Sequence, residues 1–174
     1  MRRSTFLKYG LAGSAMLALG GVGLSLRKGP LAALPEGGLK ALNPRQWSTL
    51  VAAASAIIGG SVDLPSAKDL NTAGMVDEIL ASLNPDLKDE LCLVLNLLEN
   101  PVAGAILDAR PTPFSALSHD ECVAAIEQWR GSRLPPRRAG IRALVALVNS
   151  AYWSRPETWS HMGYPGPLRF GGSQ

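Results

Sequence analysis

The sequence has few of the side chains with which enzymes usually carry out chemistry. Its 174 residues include only two histidines and two cysteines. His119 and His161 are far apart, and neither has a partner at the spacing of a metal site. Cys92 and Cys122 fall on separate predicted helices, and they could be free buried thiols or could form a disulfide. Neither begins a Cys-x-x-Cys-His haem motif. We therefore expect no metal site, no covalent haem and no catalytic residue in this chain.

Glycine-rich phosphate loops are also missing beyond the first 28 residues. No Gly-x-Gly-x-x-Gly or nucleotide-binding loop occurs there, so we expect no cofactor-binding residue in this chain. Paired carboxylates such as Asp77 and Glu78 are typical of solvated helix surfaces rather than of acid–base catalysis. A reaction carried by His161 with Glu157 remains as the enzymatic alternative.

Acidic residues are absent from the first 28 positions, which hold five basic residues. Beyond them, 12 basic residues stand against 14 acidic ones, so the formal net charge of +3 belongs to the N-terminal segment. A basic protein surface is therefore not predicted, and no nucleic-acid partner is expected.

Residues 1–28 have the pattern of an export signal or membrane anchor. A basic start is followed by an uncharged stretch, residues 9–26, and then by Arg27 and Lys28. Eighteen helical residues would span about 27 Å, just short of a bilayer core. The start resembles a twin-arginine export signal, which carries folded proteins across the bacterial inner membrane, and the matching residues are Arg2, Arg3, Phe6, Leu7 and Lys8.

Two features leave alternatives open for this segment. Both Ser4 and Thr5 separate the arginine pair from Phe6, where the twin-arginine signal usually has one residue, so general secretion is an alternative route. No Ala-x-Ala site follows, and the segment could be removed or kept as an anchor. The prediction is a periplasmic or inner-membrane-anchored protein that contacts the membrane through this segment at least transiently.

The rest of the chain is predicted to be helical. Residues 29–42 are rich in proline and glycine and are interpreted as a linker, followed by a helical domain over residues 43–153 and a tail over residues 154–174. Capping boxes at Asn43 with Gln46 and at Ser118 with Glu121 mark helix starts. Since no stretch alternates with period two, we expect an all-α bundle of five or six helices with an N-terminal export or anchor helix and an extended aromatic tail.

Apolar spacing also predicts which helix faces are buried. Over residues 85–98, one inner face is predicted, made of Leu87, Leu91, Val94, Leu95 and Leu98. Over residues 137–153, the side chains expected outside are Arg137, Arg138 and Arg142, and those expected inside are Ile141, Leu144, Val145, Leu147 and Val148.

Aromatic side chains are concentrated near the end of the chain. Tyr152, Trp153, Trp159 and Tyr164 lie within residues 150–167, together with three prolines. Such rings can bury apolar surface and still offer a hydrogen-bonding tip, as interface residues do. The predicted partner interface consists of Tyr152, Trp153, Trp159, Tyr164 and Pro165; the alternative is that these rings close the protein's own core. Trp153 is expected nearer the core than Trp159 and Tyr164.

The order of motifs in residues 114–167 resembles the gluconate 2-dehydrogenase subunit 3 family. The motifs are Phe114-Ser115-Ala116-Leu117, Trp129-Arg130-Gly131-Ser132, Arg137-Arg138, Tyr152-Trp153-Ser154-Arg155-Pro156-Glu157-Thr158-Trp159 and Gly163-Tyr164-Pro165-Gly166-Pro167. Where the family commonly has two tyrosines, this chain has Tyr152 and Trp153.

The resemblance implies a non-catalytic small subunit. Such subunits carry the export signal for a large FAD-dependent dehydrogenase subunit of the glucose-methanol-choline type and assist its maturation or stability, and a cytochrome c subunit often completes the complex. FAD is then expected in the partner and not in this chain. The alternative is a free-standing exported or membrane-anchored helical protein without an enzyme partner. The substrate of the partner and the stoichiometry do not follow from the sequence.

Overall fold

The computed structural model describes residues 23, 26–60 and 63–166, and within them the protein is all-α, with no β-strand. Seven α-helices are present in these residues, against the five or six expected. Their bounds are α1 Pro44–Ile58, α2 Thr72–Ser82, α3 Pro85–Glu99, α4 Pro101–Asp108, α5 His119–Arg130, α6 Pro135–Trp153 and α7 Pro156–Trp159. Two 3₁₀ turns, Phe114–Ala116 and Ser160–Met162, complete the secondary structure of this part of the chain. The expected N-terminal helix and the residues Arg2, Arg3, Phe6, Leu7 and Lys8 lie outside the described residues.

Helix starts follow the capping chemistry of the sequence. At α1, the Asn43 side chain accepts from the backbone of Gln46 while the Gln46 side chain accepts from the backbone of Asn43. Ser118 and Glu121 make the same reciprocal pair at α5. These bonds satisfy backbone N–H groups that have no partner within the helix. Both predicted capping boxes are confirmed.

The core lies between α1 and α6, each of which packs against α2, α3 and α5. Its largest fully buried side chains include Leu50, Leu80, Leu95, Leu98, Phe114, Ile141, Leu144, Val148 and Tyr152. The predicted inner face of α6 is confirmed at Ile141, Leu144 and Val148, whereas Val145 and Leu147 are only half-buried. On α3, only Leu95 and Leu98 are buried, and the expectation for Leu87 is wrong because its side chain is 52% exposed.

The linker segment, residues 29–42, lies against the helical domain. The amide of Ala32 donates to Ser48 Oγ at 2.8 Å, and Trp47 Nε1 donates to the Ala33 carbonyl at 2.9 Å. At its other end, the buried carboxylate of Asp77 accepts three backbone N–H groups, from Lys40, Ala41 and Leu42. A carboxylate that collects several backbone donors fixes that backbone strongly. The segment is therefore packed as part of the domain along much of its length.

A buried ion pair joins α4, α5 and α6. Arg137 Nη2 lies 2.7 Å from both carboxylate oxygens of Asp108, and the two side chains are 10% and 3% exposed. Trp129 Nε1 donates to the same carboxylate at 3.2 Å, and the Arg137 guanidinium lies over the Trp129 ring at 4.5 Å. The expectation that Arg137 lies outside is therefore wrong, because Asp108 compensates its charge and the Trp129 ring packs on its guanidinium, although its buried Nε has no hydrogen-bond partner.

Candidate functional site

The aromatic tail is ordered by local helical structure and is not extended as expected. Pro156 occupies the first turn of α7, where its missing N–H costs nothing, and the chain continues through the 3₁₀ turn Ser160–Met162. Gly163 ends this turn with φ 65°. The Tyr164 amide then donates to the Trp159 carbonyl at 3.0 Å, which closes the helix end as a glycine C-cap does.

Two of the predicted interface rings, those of Trp159 and Tyr164, meet on this tail, and Trp159 is also bonded to the backbone of Trp153 at the end of α6. Trp159 Nε1 donates to the Trp153 carbonyl at 3.1 Å, and Trp153 Nε1 donates to Asn149 Oδ1 at 3.1 Å. The rings of Trp159 and Tyr164 meet edge to face, with centroids 5.4 Å apart. This geometry is the favourable one for two aromatic rings and adds to their burial. The tail therefore presents Trp153, Trp159 and Tyr164 in a fixed arrangement.

Gly166 completes this arrangement by letting the backbone approach the Trp159 ring. Its φ of 99° is unfavourable for a residue with a side chain, and a Cβ placed there would lie 3.2 Å from the indole. Residues 163–166 therefore form a defined turn, with positive φ at both glycines; Pro167 lies outside the described residues.

The predicted interface residues differ in exposure. Trp153 and Trp159 are half-buried, Pro165 is exposed and Tyr164 is 46% exposed. Tyr152 is fully buried, and its hydroxyl donates to the Pro65 carbonyl at 2.6 Å, so its assignment to a surface is corrected. The same burial raises the pKa of Tyr152 above its usual value. The sequence held a sign of this, since Tyr152 follows the core residue Val148 by four positions and so shares its helix face.

Side chains with reactive groups have structural surroundings. The thiols of Cys92 and Cys122 are free, and burial raises the pKa of Cys122 to about 11, which keeps it protonated at neutral pH. His161 Nδ1 lies 3.3 Å from Ser160 Oγ, whereas Glu157 faces Arg155 at 3.8 Å. The structure thus pairs His161 and Glu157 with different neighbours. Among the described residues, no group of three or more His, Cys, Asp and Glu side chains could hold a metal ion.

Comparisons with known proteins return no match. No family model matches the chain, no curated protein is significantly similar to it, and no solved structure is significantly similar to its fold. The resemblance in residues 114–167 therefore stays a prediction.

Proposed function

We propose that this chain is the non-catalytic small subunit of an exported, flavin-dependent dehydrogenase complex. In this proposal it carries the export signal for a large FAD-containing subunit and assists that subunit's maturation or stability in the periplasm. A cytochrome c subunit is a further partner that the resemblance suggests. The chain itself holds no FAD and catalyses no reaction.

The observation that supports this proposal is the ordered, partly exposed aromatic surface at the end of α6 and on the tail, made of the half-buried Trp153 and Trp159 and the exposed Tyr164 and Pro165. Large aromatic side chains are the commonest anchors at the centres of protein interfaces. Their hydrogen bonds and ring contacts hold them in one arrangement before any partner binds. Pre-ordering lowers the entropy lost on association, which favours a binding role over a merely structural one.

The test is to replace Tyr164 by alanine in the full chain and measure recovery of the large chain with it. Truncating an interface anchor costs on the order of 2 kcal/mol, or about 30-fold in affinity. Because Tyr164 is 46% exposed, the melting temperature of the subunit should change little. Leu87→Ala is the matched control, since Leu87 is similarly exposed at 52% but lies on α3.

Substitutions of Trp153 and Trp159 distinguish a partner interface from a surface that only completes the protein's own core. We expect Trp153→Ala to lower stability, since Trp153 belongs to α6 and its ring meets Tyr152 edge to face at 4.9 Å. Trp159→Ala should chiefly lower binding. A Trp159→Ala protein that unfolds while Trp153→Ala only loses its partner would reverse these assignments. Full recovery of the large chain with Tyr164→Ala would show that Tyr164 is not an anchor of the interface. Failure to recover any large chain with the parent protein would favour the alternative of a free-standing helical protein.

A further inference from the structure

An apolar surface extends from the second half of α3 onto α4. Its exposed side chains are Leu93, Leu97, Ile106 and Leu107, of which Ile106 is 77% exposed. Leu97 and Leu107 line the same small surface cavity, so the two helices contribute to one continuous surface. The helices meet at an angle of 73°, and the pair has the combined length and hydropathy of a membrane-spanning segment, although no single described helix does.

Beyond Glu90, this surface carries no exposed charge, and the exposed Glu90 borders the same groove as Leu93 and Leu97. Between Glu90 and Pro111, the exposed residues are Leu93, Asn96, Leu97, Asn100, Ile106, Leu107 and Ala109. The three charged side chains of this stretch are engaged within the domain: Glu99 accepts from Ser115, Asp108 is paired with Arg137, and Arg110 donates to the carbonyls of Leu98 and Thr112. Uncharged, projecting leucine and isoleucine side chains are costly in water and are typical of a contact surface.

Three basic side chains flank the apolar surface. Arg27, Lys28 and Arg45 are exposed and line one depression together with Val102 of α4 and the half-buried Glu99 of α3, so three basic side chains stand against one acidic side chain there. Val102 is one helical turn from Ile106, so the basic cluster lies beside the most exposed apolar side chain. The uncharged stretch of residues 9–26 directly precedes Arg27 in the sequence. Apolar side chains beside a basic cluster match the interface of an anionic bilayer, where acyl chains lie directly beneath negatively charged headgroups.

We propose that the surface formed by Leu93, Leu97, Ile106 and Leu107 lies on an anionic lipid bilayer, with Arg27, Lys28 and Arg45 at the headgroups. The charge complementarity selects a bilayer over an apolar protein partner. The projection of Ile106 also favours a bilayer, because a soft acyl layer accepts a projecting side chain without a matching pocket. This contact is additional to the N-terminal segment and is independent of whether a flavoprotein partner exists.

A fluorescent probe that reports the local environment separates this contact from anchoring by the N-terminal segment. A nitrobenzoxadiazole group is attached to Ile106→Cys in the full chain, in a background carrying Cys92→Ser and Cys122→Ala whose helix content is checked first. Ala81→Cys is the matched control, because Ala81 is exposed on α2, which packs against α1 and α6. Both proteins are mixed with vesicles of phosphatidylcholine and phosphatidylglycerol, with and without spin labels on the acyl chains.

We expect the emission at position 106 to shift to shorter wavelength and to be quenched several-fold more by the acyl-chain label than the emission at position 81. Binding should weaken with salt and with neutral vesicles, because the basic cluster contributes electrostatically. Equal, water-like emission at both positions while the protein sediments with the vesicles would overturn the proposal. A shift at position 106 without vesicles, growing with protein concentration, would assign the surface to a second copy and would also overturn it.

Ile106→Asp provides a second measurement that needs no cysteine substitution. Because the side chain is 77% exposed, the change should leave the folded structure intact. In the otherwise unchanged full chain, it should increase the extraction of the protein from vesicles by salt, whereas Ala81→Asp should not. Identical extraction of both variants would contradict the proposal.

Discussion

Replacing Asp108 by asparagine removes the negative charge that compensates Arg137 between α4, α5 and α6. The asparagine amide cannot accept from both Arg137 and Trp129 through two equivalent oxygens, as the carboxylate does at 2.7 Å and 3.2 Å. Because the Arg137 side chain is only 10% exposed, water cannot fully replace the lost partner. Breaking such a buried pair by removing one member typically costs about 3–5 kcal/mol.

This loss is large compared with the stability of an ordinary domain, about 5–15 kcal/mol. For a protein of this size, each kcal/mol lowers the melting temperature by roughly 2–4 °C, so Asp108→Asn should lower it by about 6–20 °C. Thermal and urea unfolding of the full chain, followed by circular dichroism, measure both quantities. The matched control is Glu78→Gln, which breaks the exposed pair with Lys40 and should cost about 0–1 kcal/mol.

A paired substitution distinguishes the charge from the packing. Asp108→Leu combined with Arg137→Met removes both charges and should recover much of the stability that either change alone loses, because no buried charge is left uncompensated. The reasoning would be refuted if the free energy of unfolding of Asp108→Asn lay within about 1 kcal/mol of that of the parent protein, which is the loss expected for a surface ion pair.

Three further outcomes are expected. Asp77→Asn should cost about 2 kcal/mol and make residues 29–42 more accessible to proteases, because a weaker acceptor faces three backbone donors; unchanged cleavage would contradict this. The pKa of Tyr152 is raised by burial, so the stability linked to its proton is present below its unfolded pKa of about 10 and is lost as pH rises through the folded pKa. Tyr152→Phe should be about 1 kcal/mol less stable near neutral pH, because the hydrogen bond to the Pro65 carbonyl is lost, and its stability should fall less at alkaline pH. Parallel curves of stability against pH for the two proteins would exclude this dependence on the Tyr152 proton. Replacing Arg2 and Arg3 by lysines should stop export of this chain and its partner together, whereas unchanged periplasmic levels would exclude the twin-arginine route.

Local chemistry made the helices predictable. Asn43 with Gln46 and Ser118 with Glu121 mark helix starts within four residues, so their bonds can be inferred without knowledge of the fold. The all-α class follows from these signals together with the lack of alternating stretches. The tail helix is hard to predict from the sequence, because Pro156 is compatible with an extended segment as well as with the first turn of a helix.

Long-range contacts were not predictable in the same way. Asp108 and Arg137 are 29 residues apart, and no periodic pattern links an acid on one helix to a base on another. The capture of residues 40–42 by Asp77 likewise depends on how the chain returns to α2. For the candidate site, the sequence located the aromatic cluster, and the spacing of Tyr152 from Val148 indicates that Tyr152 is buried, whereas the exposure of Tyr164 depends on how the tail packs.

The central claim is that this chain works as the small subunit of a flavoprotein complex. Its most direct test is to purify the tagged full-length protein from its native cell under mild conditions and record the absorption spectrum of what is recovered with it. We predict a larger chain present in fixed ratio, with the two absorption bands of a bound flavin and with dehydrogenase activity toward artificial electron acceptors. Recovery of the protein alone, colourless and without such activity from cells that make it abundantly, would contradict the account.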